Sequence, residues 1–171
     1  MELPASFIDY TRALLGDEEY DKLAVAIRQE PPVSIRLNDG KLKIENGKCR
    51  IVPQAGCITD FQLSAFNFEF NQVPWSSEGF YLDERLTFTF DPLFHAGCYY
   101  VQEASSMFVE QVLRQYVTGP VKMLDLCAAP GGKSTQIAAA MKGEGILICN
   151  EIHSARAKIL SENIERMGIK N

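Results

Sequence analysis

Several features that define whole classes of protein are missing from this sequence of 171 residues. No apolar run reaches the roughly 18 to 20 residues that are needed to cross a bilayer. The start, Met-Glu-Leu-Pro, also lacks the basic residues and the apolar centre of a secretory signal. We therefore expect a globular protein without membrane contact, cytoplasmic by default.

Cysteine is present, but not in the pattern of a metal site or a disulfide framework. The five cysteines are an odd number, no two of them are spaced as C-x-x-C, and histidine occurs only twice. Zinc sites usually need repeated ligand pairs, so we expect no metal. Reduced thiols, buried as small apolar side chains, are the expected state.

Basic charge is also scarce overall, although it is unevenly distributed. The net charge is −5, whereas nucleic-acid binders usually neutralise phosphates with Lys and Arg. Residues 1–98 contain 9 basic and 15 acidic side chains, and residues 99–171 contain 8 and 7. The first part nevertheless has a local basic cluster, made of Arg36, Lys41, Lys43, Lys48 and Arg50. This cluster indicates either contact with an RNA backbone or a solvated charged hairpin.

The first part has the pattern of a small α+β domain. Apolar spacing predicts a helix that ends near Gly16 and a second helix, capped by Asp17, that ends before Pro31. After Val33, short apolar runs separated by turn residues at 38–40 and 46–47 predict an antiparallel sheet. Apolar and threonine residues alternate over 86–90, which predicts a half-buried strand.

The pattern changes near residue 98. Residues 102–116 predict a helix with Met107, Phe108, Val112 and Leu113 on one face. Strands are then predicted over 121–126 and 145–150, and helices over 134–142 and 154–167. Alternating strands and helices predict a Rossmann-like α/β region over residues 99–171, after an N-terminal α+β domain over residues 1–98.

The loop between the first of these strands and its helix reads Asp-Leu-Cys-Ala-Ala-Pro-Gly-Gly-Lys-Ser, residues 125–134. Small residues let the backbone approach a ligand closely, and the helix N-terminus offers free N–H groups to polar or anionic ligands. Glu151 follows the second strand, where Rossmann-like units place a carboxylate that binds ribose. The combination predicts a nucleoside site, with a structural turn and a solvated carboxylate as the alternative.

A triphosphate site fits these residues less well. Gly132-Lys133-Ser134 resembles the end of a P-loop, G-x-x-x-x-G-K-[ST], but the first glycine of that motif would fall on Cys127. Pro130, which has no N–H to donate, would also lie inside the cradle.

The same residues resemble the Nol/Nop/Sun family of RNA (cytosine-5) methyltransferases, in its bacterial ribosomal-RNA branch. The family's loop, D-x-C-A-A-P-G-G-K-[ST], matches residues 125–134 without a gap, and its Asn-Glu strand end matches Asn150 and Glu151. Residues 97–106 resemble its G-x-Y-Y-x-Q-E-x-S-S segment. The resemblance is specific from about Val73 onward and loose before that residue.

The resemblance implies that residues 99–171 are the first part of a Rossmann-like, S-adenosylmethionine-dependent methyltransferase domain. It also implies an RNA partner, ribosomal rather than transfer RNA. The residues implied to line the cofactor pocket are Cys127, Ala128, Ala129, Pro130, Gly131, Gly132 and Lys133, with Glu151 on the ribose hydroxyls.

The family's catalytic cysteines are not found in this sequence. They lie in D-A-P-C-[ST]-G and T-C-[ST] segments, and neither segment occurs here. In the family, such a thiolate attacks carbon 6 of cytosine and so activates carbon 5, whereas Cys127 matches a residue of the cofactor loop. We therefore expect an N-terminal piece of a longer enzyme that has no catalytic residue and is inactive alone. The alternative is a non-catalytic RNA- or ribosome-binding module that uses the basic cluster.

Overall fold

The computed structural model describes residues 3–45, 48–51 and 71–170, and the side chains of residues 43–45 and 48–51 lie outside that description. The chain divides into two compact units, Met1–Pro31 and Pro32–Asn171. The first unit is a helical hairpin of α1 (Ala5–Leu15) and α2 (Asp17–Arg28), as predicted. Gly16 separates the helices with a φ of 81°. Asp17 is the first residue of α2 rather than its cap, so that detail of the prediction is wrong.

The second unit begins with antiparallel strands. The strands of this N-terminal sheet are β1 (Val33–Leu37), β4 (Asn71–Gln72), β5 (Gly79–Leu82) and β6 (Tyr99–Val101). Their order is β4-β5-β1-β6, and β1 pairs antiparallel with both β5 and β6. The predicted antiparallel sheet is therefore confirmed. It continues through Tyr99–Val101, past the domain boundary predicted at residue 98, and that boundary stays a prediction.

A separate antiparallel hairpin consists of β2 (Leu42–Glu45) and β3 (Lys48–Ile51). The predicted turn at residues 46–47 lies outside the described residues. The predicted turn at 38–40 is present, with the Lys41 N–H donating to the carbonyl oxygen of Asn38 at 2.8 Å. It does not join paired strands, because β1 pairs with β5 and β6 rather than with β2.

The central strand β1 is buried on both faces. Ile35 and Leu37 belong to a core cluster with Phe80, Leu93 and Tyr99. Ser34 and Arg36, whose side chains lie on the opposite face, are also buried, and Arg36 is only 3% exposed. A charged residue in the middle of a buried strand must have its polar atoms satisfied by neighbours.

The strand predicted over residues 86–90 is wrong. Phe88–Phe90 forms one turn of 3-10 helix and leads into α3 (Pro92–His95). Asp91 caps α3, because its carboxylate accepts a hydrogen bond from the Leu93 N–H at 2.9 Å. Pro92 at the first helical position suits the fixed φ of proline. The Asp91 cap and Pro92 therefore determine the local structure here, and the alternation of apolar and threonine residues over 86–90 does not.

The helix predicted over 102–116 is split into α4 (Ala104–Met107) and α5 (Val109–Tyr116). Met107 and Leu113 are buried as predicted. Phe108 and Val112 are 55% and 48% exposed, so their placement on the buried face is wrong. The predicted face is therefore buried at Met107 and Leu113 but not at the two residues that precede or follow them directly.

The β-loop-α-β unit is confirmed. It consists of β7 (Lys122–Asp125), α6 (Gly132–Met141), β8 (Ile146–Cys149) and α7 (Ser154–Met167). β7 and β8 are parallel, and Asp125 lies opposite Cys149, so the carboxyl ends of both strands meet at one edge. In the described part of the chain, no helix is long and apolar enough to cross a membrane.

Candidate cofactor site

Asp125 braces the loop that joins β7 to α6. One carboxylate oxygen accepts a hydrogen bond from the Ser134 hydroxyl at 2.7 Å, and the other accepts from the Cys127 N–H at 3.3 Å. Ser134 is fully buried in the first turn of α6. A single carboxylate therefore ties the strand end, the loop and the helix start together.

Gly131, the N-cap residue of α6, has a conformation that suits glycine. Its φ is +111°, and a Cβ added there would lie 3.1 Å from the Leu160 side chain of α7. Ala128 and Ala129 are buried against the same leucine. The small residues of the loop therefore allow α7 to pack closely, and the loop is exposed at Cys127, Pro130 and Lys133.

Backbone hydrogen bonds join the loop to the end of β8. The Ala128 N–H donates to the Asn150 carbonyl at 3.0 Å, and the Asn150 N–H donates to the Asp125 carbonyl at 2.8 Å. The Asn150 side chain adds a bond of 2.9 Å to the Leu126 carbonyl. Residue 151 is thus fixed next to the loop, as the spacing predicts.

Glu151 is linked to the loop through Arg156. One Arg156 nitrogen lies 3.1 Å from the Glu151 carboxylate, and the other donates to the Ala129 carbonyl at 2.9 Å. The second carboxylate oxygen accepts from the His153 N–H at 3.0 Å. This backbone bond, with a smaller contribution from Arg156, lowers the pKa of Glu151, so the side chain is anionic at neutral pH. The Glu151 side chain is only 4% exposed, so these contacts hold the carboxylate in a fixed position beside the loop.

The structure thus brings the predicted loop residues and Glu151 to one edge of the β7–β8 pair. A cavity of about 730 Å³ lies elsewhere, lined by α5, α6 and the end of α7. None of residues 127–133 lines that cavity, and neither does Glu151. The candidate site is therefore the exposed rim of the loop rather than this cavity.

The predicted basic cluster is not a free surface in the part that the structure describes. Arg36 is buried, and the Lys41 ammonium group donates to the carbonyl oxygens of Ala96 at 2.8 Å and Arg166 at 2.9 Å. The side chains of Lys43, Lys48 and Arg50 lie outside the described residues. Arg36 is therefore neither an RNA contact nor a solvated residue of a charged hairpin, whereas Lys41 is half-buried and held by backbone carbonyls.

Sequence reasoning missed the residues that hold the loop in place. Asp125 and Ser134 are within the loop motif itself, so their spacing offered a signal. Arg156 lies five residues after Glu151, but nothing in the sequence shows that its side chain binds the Ala129 carbonyl. The contacts of Tyr100 with the loop join residues 30 positions apart, and no local pattern reports them.

The family model for the N-terminal domain of 16S rRNA methyltransferase RsmF matches residues 3–104, well over half of the chain. The chain belongs to this family. A second model, 16S rRNA methyltransferase RsmB/F, matches residues 117–171, which include the loop and Glu151. The resemblance to the Nol/Nop/Sun family is confirmed.

Individual RsmF relatives agree. The ribosomal RNA small subunit methyltransferase F of Serratia proteamaculans is 34% identical over 175 residues, covering 99% of this chain and 34% of its own length. The corresponding protein of Psychromonas ingrahamii is 36% identical, with the same coverage of both chains. The chain thus spans about a third of the length of these curated relatives.

A solved structure shares the architecture. The methyltransferase homologue protein from Pyrococcus horikoshii superposes with a TM-score of 0.72 at 28% identity, covering 99% of this chain and 55% of that one. The fold predicted from the sequence, an N-terminal α+β region followed by the start of a Rossmann-like methyltransferase fold, is confirmed.

Proposed function

We propose that this chain binds S-adenosylmethionine at the loop of residues 127–133 and at Glu151, as part of a 16S rRNA (cytosine-5) methyltransferase. The observation that carries the proposal is the junction of the loop with the end of β8, where Ala128 bonds Asn150 and Arg156 joins Ala129 to Glu151. RsmF membership supports ribosomal RNA as the substrate, and we propose a cytoplasmic location for the protein, where that substrate is found.

The chemistry of the donor set suits this cofactor. The first N–H groups of α6 have no acceptor within the helix, and the helix dipole favours a negative group at this end. Those donors suit the carboxylate of the methionine part. Glu151, which is anionic, suits the two ribose hydroxyls. Bound S-adenosylmethionine supplies an electrophilic methyl group, and these residues bind and orient it.

The residues that attack cytosine are not expected in this chain. The family's cysteine segments do not occur in the sequence, and Cys127 is a loop residue whose N–H bonds Asp125. We propose that these 171 residues alone transfer no methyl group. The transfer of labelled methyl from S-adenosylmethionine to 16S rRNA by the isolated chain would contradict this.

Calorimetric titration of the chain with S-adenosylmethionine tests the site. Glu151→Gln keeps the shape of the side chain but removes its charge. We expect the variant to bind at least about tenfold more weakly, since hydrogen bonds to charged groups contribute about 1.5 to 3 kcal/mol. Glu162→Gln is the matched control, because Glu162 is an exposed carboxylate on α7. Equal affinities for the two variants would remove Glu151 from the site.

The loop is tested in the same titration with Gly131→Ala. The φ of +111° and the contact with Leu160 make any side chain unfavourable there. Gly119→Ala is the control, because Gly119 has open space around the position of its Cβ. If Gly131→Ala binds the cofactor as tightly as the control does, the loop is not the binding element.

A further inference from the structure

The N-terminal sheet makes direct contact with the cofactor loop. The Tyr100 hydroxyl of β6 donates to the Pro130 carbonyl at 3.2 Å. A Cβ added to Gly132 would lie 3.4 Å from the Tyr100 ring, so ring and loop are in close contact. Tyr100, which lies outside the loop motif of residues 125–134, therefore contacts the centre of the predicted site.

A second contact runs through Arg36 of β1. Its guanidinium group donates to the Thr135 hydroxyl at 2.6 Å, and it approaches the Gly132 carbonyl at 3.5 Å. The Thr135 hydroxyl in turn donates to the same carbonyl at 3.1 Å. Arg36 and Thr135 therefore fix the first turn of α6 from the sheet side.

Gln102 completes this buried network. Its side-chain oxygen accepts from Arg36 at 2.9 Å, and its amide donates to Gln136 of α6 at 3.1 Å. Burial lowers the pKa of Arg36 to about 10, so the group remains charged at neutral pH. The hydrogen bonds described for Arg36 end on neutral oxygens. Among the described residues no carboxylate pairs directly with this buried cation, so its position depends on these neutral acceptors being in place.

The Pro130 carbonyl is held from two sides. Tyr100 donates to it from the sheet, and the Asn163 amide donates to it from α7 at 2.8 Å. In a planar trans peptide the C=O and N–H groups point in opposite directions. Fixing the Pro130 carbonyl toward the protein therefore aims the Gly131 N–H away from it, toward the rim proposed to bind the cofactor.

We propose that Tyr100 and Arg36 are positioning residues, through which the N-terminal sheet sets the geometry of the cofactor loop. This inference rests on the proposed function, and it makes the affinity for S-adenosylmethionine depend on side chains that do not touch it. The N-terminal sheet is then a part of the cofactor site, whether or not it also contacts RNA.

Tyr100→Phe tests the first contact by removing one hydroxyl. Tyr81→Phe is the control, because Tyr81 lies on β5, separated from β6 by β1 in the same sheet, and packs against the separate cluster of Val73 and Met107. We expect Tyr100→Phe to weaken S-adenosylmethionine binding about threefold to tenfold in calorimetry, the range for one neutral hydrogen bond. Without ligand, amide hydrogen exchange over residues 127–134 should be faster in Tyr100→Phe and unchanged in Tyr81→Phe.

Thr135 tests the second contact with a conservative rescue. Thr135→Val removes the hydroxyl that accepts from Arg36, whereas Thr135→Ser keeps it. A purely structural role would make affinity follow the thermal stability of each variant. A positioning role predicts that Thr135→Ser retains the wild-type affinity even if it is less stable, and that Thr135→Val loses affinity.

The outcomes separate this inference from the proposed function. If the wild type binds S-adenosylmethionine while Tyr100→Phe and Thr135→Val match it in affinity and loop exchange, the inference is overturned and the function stands. If the wild type binds none, the proposed function fails. In that case, faster amide exchange of the loop in Tyr100→Phe would still support the claim that the N-terminal sheet fixes the loop geometry. Unchanged exchange would overturn this claim too.

Discussion

Gly97 provides the sharpest test of how α7 is attached to the N-terminal sheet. Its φ is +67°, and a Cβ added there would lie 1.9 Å from the carbonyl oxygen of Arg166 and 2.7 Å from its carbon. Both atoms belong to the backbone of the last turn of α7, so a rotamer change cannot relieve the clash. Gly97→Ala must therefore displace that turn.

The expected loss of stability can be estimated from the contacts involved. A non-glycine residue in the left-handed region costs about 1 to 2 kcal/mol. The displaced turn also carries two hydrogen bonds, Asn38 to the Met167 carbonyl at 2.9 Å and Lys41 to the Arg166 carbonyl at 2.9 Å. Losing one neutral and one charged bond adds about 2 to 4 kcal/mol. We expect a total of about 3 to 6 kcal/mol, a large share of the 5 to 15 kcal/mol typical of a protein.

Urea unfolding followed by the fluorescence of Trp75, the single tryptophan, measures this loss. Gly143→Ala is the matched control, because Gly143 has a φ of +79° and no atom within 4 Å of an added Cβ. It should lose only the backbone contribution of about 1 to 2 kcal/mol. Equal losses in the two variants would refute the close approach of Gly97 to α7.

Two further predictions concern titratable groups. Burial raises the pKa of Glu110, but hydrogen bonds from Ser76 and Ser77 outweigh it and the net pKa is lowered. At pH 7 the wild type should therefore have a larger free energy of unfolding than Glu110→Gln. This difference should persist at every pH above the ordinary carboxyl pKa of 4.5 and disappear as the pH falls through the lower pKa of the folded protein. Urea unfolding at several pH values measures it. Cys98 is buried, which raises its thiol pKa, whereas Cys127 is exposed. Iodoacetamide followed by mass spectrometry should thus label Cys127 before Cys98 in the native protein, and equal rates for these two would contradict the burial of Cys98.

The β-loop-α-β unit could be predicted because its signals are local. Apolar runs, a glycine stop and a helix start follow one another within 50 residues, and α7 ends at Met167 as predicted, with Gly168 at a φ of +76°. The neighbourhood of the loop and Glu151 also followed from local order, since parallel strands bring their carboxyl ends to one edge.

Arg36 shows what local signals miss. In the sequence it is one of five nearby basic residues, and a charged residue next to a predicted turn usually faces solvent. Its burial comes from Gln102, 66 positions away, and from Thr135, 99 positions away. The partners that satisfy the guanidinium group exist only after the sheet and α6 have packed together, so composition and spacing carry no record of them.

The small residues of the loop also had two possible meanings. Ala128, Ala129 and Gly131 allow α7 to pack against the loop through Leu160, which would suffice to explain them without any ligand. What distinguishes a binding loop is the use of its peptide groups. The carbonyls of Ala129 and Pro130 are both bonded to the protein, by Arg156 in one case and by Tyr100 and Asn163 in the other. The Ala129 carbonyl precedes a proline and so has no N–H in its peptide, but the inward Pro130 carbonyl leaves the Gly131 N–H pointing the other way. That donor, together with the free N–H groups at the start of α6 and the anionic Glu151, supports the proposal of a zwitterionic nucleoside rather than a plain phosphate.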